Sequence, residues 1–415
     1  MLGTVSDRRI LLAATFLRAL ATGMIAVLLG IHLAALGFDP TRIGIVIGAG
    51  LFGGAVATLF ATLRADRFGR RRLLAAVALL SAGGGLLLAF GSHFAVALAA
   101  AFVGMVNGMG RDRGASLVVE QAILPATTGA ASRTRAFAWY NVCQDAGRAL
   151  GGLCAGLPVL LRRAGGVDEV MSLRIGLAAP ALLFAIAAFL YMRLSPGVEA
   201  EPERARPRLS PESRRVVRRI SLLFSLDSLA GGFLTTALLA FFFHRRFGAG
   251  EDVVGALFFG AGAANALSHL GAAWLAKRIG LVNTMVFTHI PSSLLLVTVA
   301  FAPTFPIAAA LFLVREGLVE MDVPTRQSYV MGVVRPEERT IASGVTHLVR
   351  MAAWSVAPSF AGLFMQGLSL ATPLFCGAGM KIAYDLLLYR AFRGLRPPEE
   401  SAEAASAGAM AKGTP

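Results

Sequence analysis

Glu316 and Glu320 stand four residues apart in a largely apolar run, which on a helix puts two carboxylates one turn apart on the same face. Like charges repel and loss of water penalises both anions, so such a pair favours binding a proton that it can later release. Asp227 is a second candidate proton carrier, and Arg18, at a matching depth of an earlier apolar run, is its expected counter-ion. Arg350 with His347, and Tyr140, Asn141 and Gln144 on one helical face, supply groups able to hydrogen-bond a solute.

These residues belong to a larger set. Eight bases (Arg18, Arg111, Arg113, Arg148, Arg315, Arg326, Arg350, Lys381) and eight acids (Asp112, Glu120, Asp145, Asp227, Glu316, Glu320, Asp322, Asp385) interrupt apolar stretches. Each costs roughly 2.5–3.5 kcal/mol at the centre of a bilayer on insertion scales, so each needs a partner or a wet cavity. Helical spacing pairs Lys381 with Asp385, Asp145 with Arg148, Arg113 with Glu120 and Arg315 with Asp322. Arg18, Arg111, Asp112, Arg113, Asp145, Asp227, Glu320, Asp322 and Arg350 share one half of the membrane depth, where they can act as ion pairs closing one mouth of a pore or line a solute path. His32, His269 and His289 read as singly packed or hydrogen-bonded residues, and Cys143, Cys154 and Cys376 as packing residues.

The elements that must hold these charges are set by composition. The 415 residues are 56% hydrophobic and 15% charged, with a net charge of +15, whereas a soluble domain carries roughly 25% charged residues. The chain therefore reads as an all-α integral membrane protein, and the basic balance does not mark a nucleic-acid binder. Twelve apolar stretches are long enough for membrane helices, at about 10–36, 40–63, 73–90, 94–123, 134–161, 173–193, 220–244, 252–275, 284–301, 304–328, 341–367 and 370–392. Gly44 with Gly48, Gly104 with Gly108, and Gly147 with Gly151 place small residues one turn apart, as close helix packing in lipid requires. Segments on the N-terminal side of the membrane hold 25 of the 39 Lys and Arg and those on the other side hold 6, so both termini are expected in the cytoplasm. Arg greatly outnumbers Lys, which points to a GC-rich bacterium and hence to its inner, plasma membrane, with the chain in contact with anionic lipid.

The polar, proline-bearing stretch 195–219 reads as a cytoplasmic linker between a six-helix bundle in 1–194 and another in 220–393, followed by a disordered cytoplasmic tail in 394–415. Arg133, Thr134 and Ala136 recur as Arg339, Thr340 and Ala342, while Gly37, Gly44, Arg67 and Gly69 recur as Gly248, Gly255, Arg278 and Gly280. Six helices per repeat give both halves the same orientation, the parallel-repeat plan of secondary transporters.

Asp66, Arg67, Gly69, Arg70 and Arg71, between the second and third stretches, resemble the signature loop of the major facilitator superfamily, with Thr62 and Arg64 departing from its pattern. In such a loop Asp66 can accept hydrogen bonds from a neighbouring helix N-terminus and the set can act as a cytoplasmic gate. The Gly-rich run Gly147, Gly151, Gly152, Gly156 resembles the helix-5 pattern of exporters, although Leu157 stands before Pro158. The resemblance covers nearly the whole chain and implies the major facilitator fold and a secondary active transporter working by alternating access. Proton-coupled export of a small organic solute is the first expectation, with proton-coupled uptake of a polar or anionic solute as the alternative and a non-transporting sensor or scaffold as a remote one. A monomer that is not an enzyme, without cofactor or metal, is expected; the phosphate-binding Gly-Lys-Ser/Thr loop of ATP-driven pumps does not occur in the sequence.

Overall fold

A computed structural model describes residues 2–111, 114–128, 133–199, 210–319, 321 and 338–392, which form helices and turns with no strand. The helices are α1 (Leu2–Ala35), α2 (Pro40–Phe68), α3 (Arg70–Phe90), α4 (Phe94–Val103), α5 (Ala115–Ile123), α6 (Arg133–Cys154), α7 (Leu157–Gly165), α8 (Glu169–Met192), α9 (Pro211–Phe233), α10 (Thr236–Phe247), α11 (Glu251–Ile279), α12 (Leu281–Phe301), α13 (Phe305–Val319), α14 (Arg339–Gly367) and α15 (Thr372–Phe392). Large apolar side chains such as Leu182, Leu222, Leu267 and Phe301 stand outward and exposed, as lipid-facing residues do. By length and composition Asp7–Ala35, Pro40–Phe68, Arg70–Phe90, Glu169–Met192, Pro211–Phe247 and Gly344–Gly367 suffice to cross a bilayer.

Several expected spans are not single helices. The fourth breaks between Val103 and Ala115, where Asn107 donates to the Arg111 carbonyl (2.6 Å) and accepts from the Met109 amide (2.8 Å), competing with the helical ladder. Met105 and Gly110 take positive φ there, 51° and 78°. Gly104 thus ends α4 against Gly84, and Gly108 lies beyond the helix rather than one turn along it. The fifth span breaks ahead of Pro158 and the seventh at Leu234, where Thr235 caps α10. The two breaks in the fourth and seventh spans meet: the Ala237 amide donates to Gly108 O (3.0 Å) and the Thr236 hydroxyl to Met109 O (3.0 Å). Backbone groups that the helices leave open are thereby satisfied away from lipid. The tenth span is helical through Val319, and the rest of it lies outside the described residues.

Within the first half α1 packs on α6 and α8, and α3 on α8; in the second, α9 packs on α14 and α15, and α12 on α13 and α15. The two groups meet through α2 with α14, α6 with α11, and α1 with α10. These contacts gather at the end remote from the N-terminus. A Cβ on Gly44 would strike the Pro358 carbonyl and crowd Gly362, and one on Gly255 would strike the Gly152 carbonyl, so the backbones approach only because side chains are absent. The Thr41 amide donates to Gln366 (3.3 Å), and Arg162 meets Glu251 (2.5 Å) at the same end.

Candidate functional site

Among the described residues three charge networks occupy the interior. The first ties four helices of the N-terminal half around Glu120. Arg18 on α1 donates to Glu120 on α5 (2.5 Å) and to Tyr191 on α8 (2.7 Å). Tyr140 on α6 (2.7 Å), Thr15 (3.0 Å) and Tyr191 all donate to the same carboxylate, and Gln144 donates to Tyr140 (3.1 Å). Arg18, Glu120, Tyr140 and Tyr191 are all buried. Four donors satisfy the carboxylate oxygens from within one half, so this is a structural knot. Arg18 is therefore the partner of Glu120 within its own half, in place of the expected Arg18–Asp227 relation; Arg113, the expected partner of Glu120, lies outside the described residues.

The second network lies in the C-terminal half. Asp227 on α9 receives Lys381 Nζ from α15 (3.1 Å) and Arg350 Nη2 from α14 (3.5 Å), and Arg350 Nε donates to Ser228 (3.0 Å). Lys381 Nζ also stands 3.3 Å from His289 Nε2, and His289 Nδ1 stands 3.0 Å from Asp385. The network assigns the ring a proton on Nδ1, donated to Asp385, with Nε2 accepting from the lysine. Lys381 thus turns from its helical neighbour Asp385 towards Asp227, and His289, expected as a singly packed or hydrogen-bonded residue, bridges Asp385 and Lys381. Helical spacing could not reveal this, because the three groups come from α9, α12 and α15. Arg350 stacks on Trp354, 4.7 Å from guanidinium to ring centre, which fixes the cation without neutralising it.

The third network joins Glu316 to Arg315 and to Asn265 Nδ2 on α11 (2.9 Å). Of the expected carboxylate pair, Glu320 lies outside the described residues, as do Asp112 and Arg113. The expected Asp145–Arg148 pair is present at 3.2 Å.

The second and third networks face one cavity between the halves, with about 1050 Å³ of empty space that is partly open to solvent. Arg111 and Arg148 line it from the first half, and Arg315, Arg350 and Lys381 from the second, against the carboxylates Asp227 and Glu316. Among the described lining residues five cations face two anions, with Asp145 beside Arg148, and this balance makes that part of the wall electropositive. Of the other expected solute contacts, Asn141 is exposed, His347 is half-buried on α14, and Tyr140 and Gln144 belong to the Glu120 knot.

At the α2–α3 turn Gly69 takes φ 95°, a conformation that favours glycine. Asp66 there accepts from the side chain of Arg70 (3.0 Å), and Arg67 is exposed. The carboxylate that caps the helix N-terminus is instead Glu199, which accepts from the amides of Arg70 (2.6 Å) and Arg71 (3.3 Å), while the Arg71 side chain donates to Met192 O (2.9 Å). Asp66 lies four residues from Arg70 and Glu199 lies 129 from it, yet the position of Asp66 on α2 directs it along its own helix.

The Major Facilitator Superfamily profile matches residues 11–358. The chain belongs to that superfamily. It is 25% identical to the uncharacterized membrane protein YJR124C of Saccharomyces cerevisiae over 94% of both chains. Among solved structures it resembles the nucleoside transporter NupG (TM-score 0.72, 15% identity, 93% of this chain and 98% of that one). It also resembles a bacterial homolog of the human lysosomal transporter Spinster in an inward-facing, occupied conformation (TM-score 0.75, 14% identity, 93% and 97%). The superfamily member described here therefore has the fold of a multi-pass secondary transporter, whose cargo is a small molecule.

Proposed function

We propose that this transporter carries a small organic anion by alternating access, with residues 1–194 and 220–393 as the two moving bodies. The observation that carries the reading is the electropositive cavity, in which, among the described lining residues, five cations from both halves oppose two carboxylates. Arginine recognises carboxylate or phosphate through paired donors, so the wall suits such a group better than a neutral or cationic one. With both termini in the cytoplasm of a plasma membrane, the closed end faces outward and the cavity is presented inward.

Asp227 is the proton site in this reading. Its carboxylate occupies Lys381 and Arg350, the same cations an anionic solute needs. A proton on Asp227 releases them, so proton and solute bind together, and an inward proton gradient drives uptake. Uptake is accordingly preferred to export. The glycines behind the export expectation have a packing use, since Gly147 and Gly151 lie against Phe16, Leu20 and Gly23 of α1.

Proteoliposomes with an imposed pH gradient, screened against mixed carboxylates and phosphate esters, test the proposal. Accumulation of an anion on the alkaline side supports it. Accumulation only of cations or neutral solutes, or no flux of any solute, refutes it.

A further inference from the structure

The cationic cavity has a neighbour of opposite character. About 870 Å³ of empty space, partly open to solvent, lies within reach of α1, α2, α3, the broken fourth span, α8 and α14, and its apolar wall includes Ile25, Leu51, Val77, Phe184 and Met351. Arg18 contributes to its polar rim, but that guanidinium is already engaged by Glu120 and Tyr191. Met109, Arg111 and Trp354 line both spaces. The unwinding of the fourth span after Val103 is what brings Met109 and Arg111 to this junction.

We infer that the cargo is an amphipathic organic anion, with its charged head among the cavity cations and an apolar tail in the second chamber. The inference rests on the anion reading above and adds the tail. A purely hydrophilic anion would leave the apolar wall facing water, whereas a tail of several methylenes removes apolar surface on both sides from solvent. Met109 and Met351 suit tails of differing shape, because the thioether side chain adapts its rotamers. Trp354 spans the boundary, presenting its face to Arg350 on the cationic side and apolar surface to the chamber.

The test measures binding of ethane-, butane- and hexanesulfonate to the full chain in lipid nanodiscs by titration calorimetry. Sulfonates stay charged, so membrane permeation as the neutral acid does not intrude. Affinity is expected to climb about two- to fourfold per methylene, following the transfer free energy of a buried CH2 group. Val77→Trp and Ser81→Phe, one turn apart on α3 and both lining the chamber, should flatten that climb while leaving ethanesulfonate affinity within about twofold. Retained ethanesulfonate binding also reports that a variant has folded, and two variants are used so that one misfolded protein does not decide the matter. Equal affinity for all three lengths in the wild type, or a climb that survives in the folded variants, overturns the tail assignment and leaves the anion reading standing. Failure of every sulfonate to bind the wild type overturns both.

Discussion

Arg162, in the last turn of α7, donates to Glu251 in the first turn of α11 across the junction of the two halves, at 2.5 Å and with the glutamate side chain 2% exposed. Arg162 is itself steadied by the Ser172 hydroxyl (2.9 Å), and Arg163 approaches Asp252 at 3.6 Å beside it. This ion pair spans the two halves at the end where Gly44 meets Gly362 and Gly152 meets Gly255.

Glu251→Gln removes the charge-assisted part of that contact, worth about 1–3 kcal/mol. The balance between the two facing states should move on the order of tenfold towards the one in which this end is open. Spin labels on the turns at 36–38 and 248–250 should show a longer inter-half distance in the variant; an unchanged distribution would mean that the pair does not act as a lock.

Anion binding by the wild type should strengthen as pH falls, because a proton on Asp227 releases Lys381 and Arg350. The groups facing Asp227 include Lys381 from α15 and Arg350, which also meets Ser228, with His289 and Asp385 one step beyond. Asp227→Asn should flatten the pH dependence, abolish gradient-driven accumulation and spare exchange of solute across the membrane. Counterflow assays at pH 6 and pH 8 distinguish this from a folding defect, which would lower both activities together.

Glu316 is already committed to Arg315 and Asn265. Its replacement by Gln adds one net positive charge to the cavity wall and should tighten anion binding several-fold, with the pH dependence retained. Loss of coupling in Glu316→Gln with exchange intact would return the proton role to this residue, as its spacing from Glu320 first suggested.

Glu120→Gln leaves the buried Arg18 without its counter-charge and should destabilise the N-terminal half by about 3–5 kcal/mol. Thermal unfolding in detergent should show a lower midpoint, and Arg18→Met combined with Glu120→Leu should recover part of the loss. A Glu120→Gln protein as stable as the wild type would show that the knot contributes little.

The sequence alone determined the membrane class and the all-helical fold, because the cost of charge and unpaired backbone in lipid acts on every residue and leaves an apolar pattern that can be read locally. The same logic made the charges among Arg18, Asp227, Glu316 and Arg350 stand out. Pairing at short helical spacing was legible for Asp145 and Arg148, which lie on one surface. Partners were decided only by the tertiary structure: Arg18 with Glu120 across 102 positions, Lys381 with Asp227 across 154, and His289 with Asp385 across 96. Buried charges take whatever counter-charge packing brings within hydrogen-bond reach, and sequence distance does not enter that choice. The break in the fourth span belongs to the same class, since its open backbone groups are satisfied by Thr236 and Ala237 of a distant helix. That long-range contact makes the irregular segment affordable in lipid and brings Arg111 to the wall of the cavity.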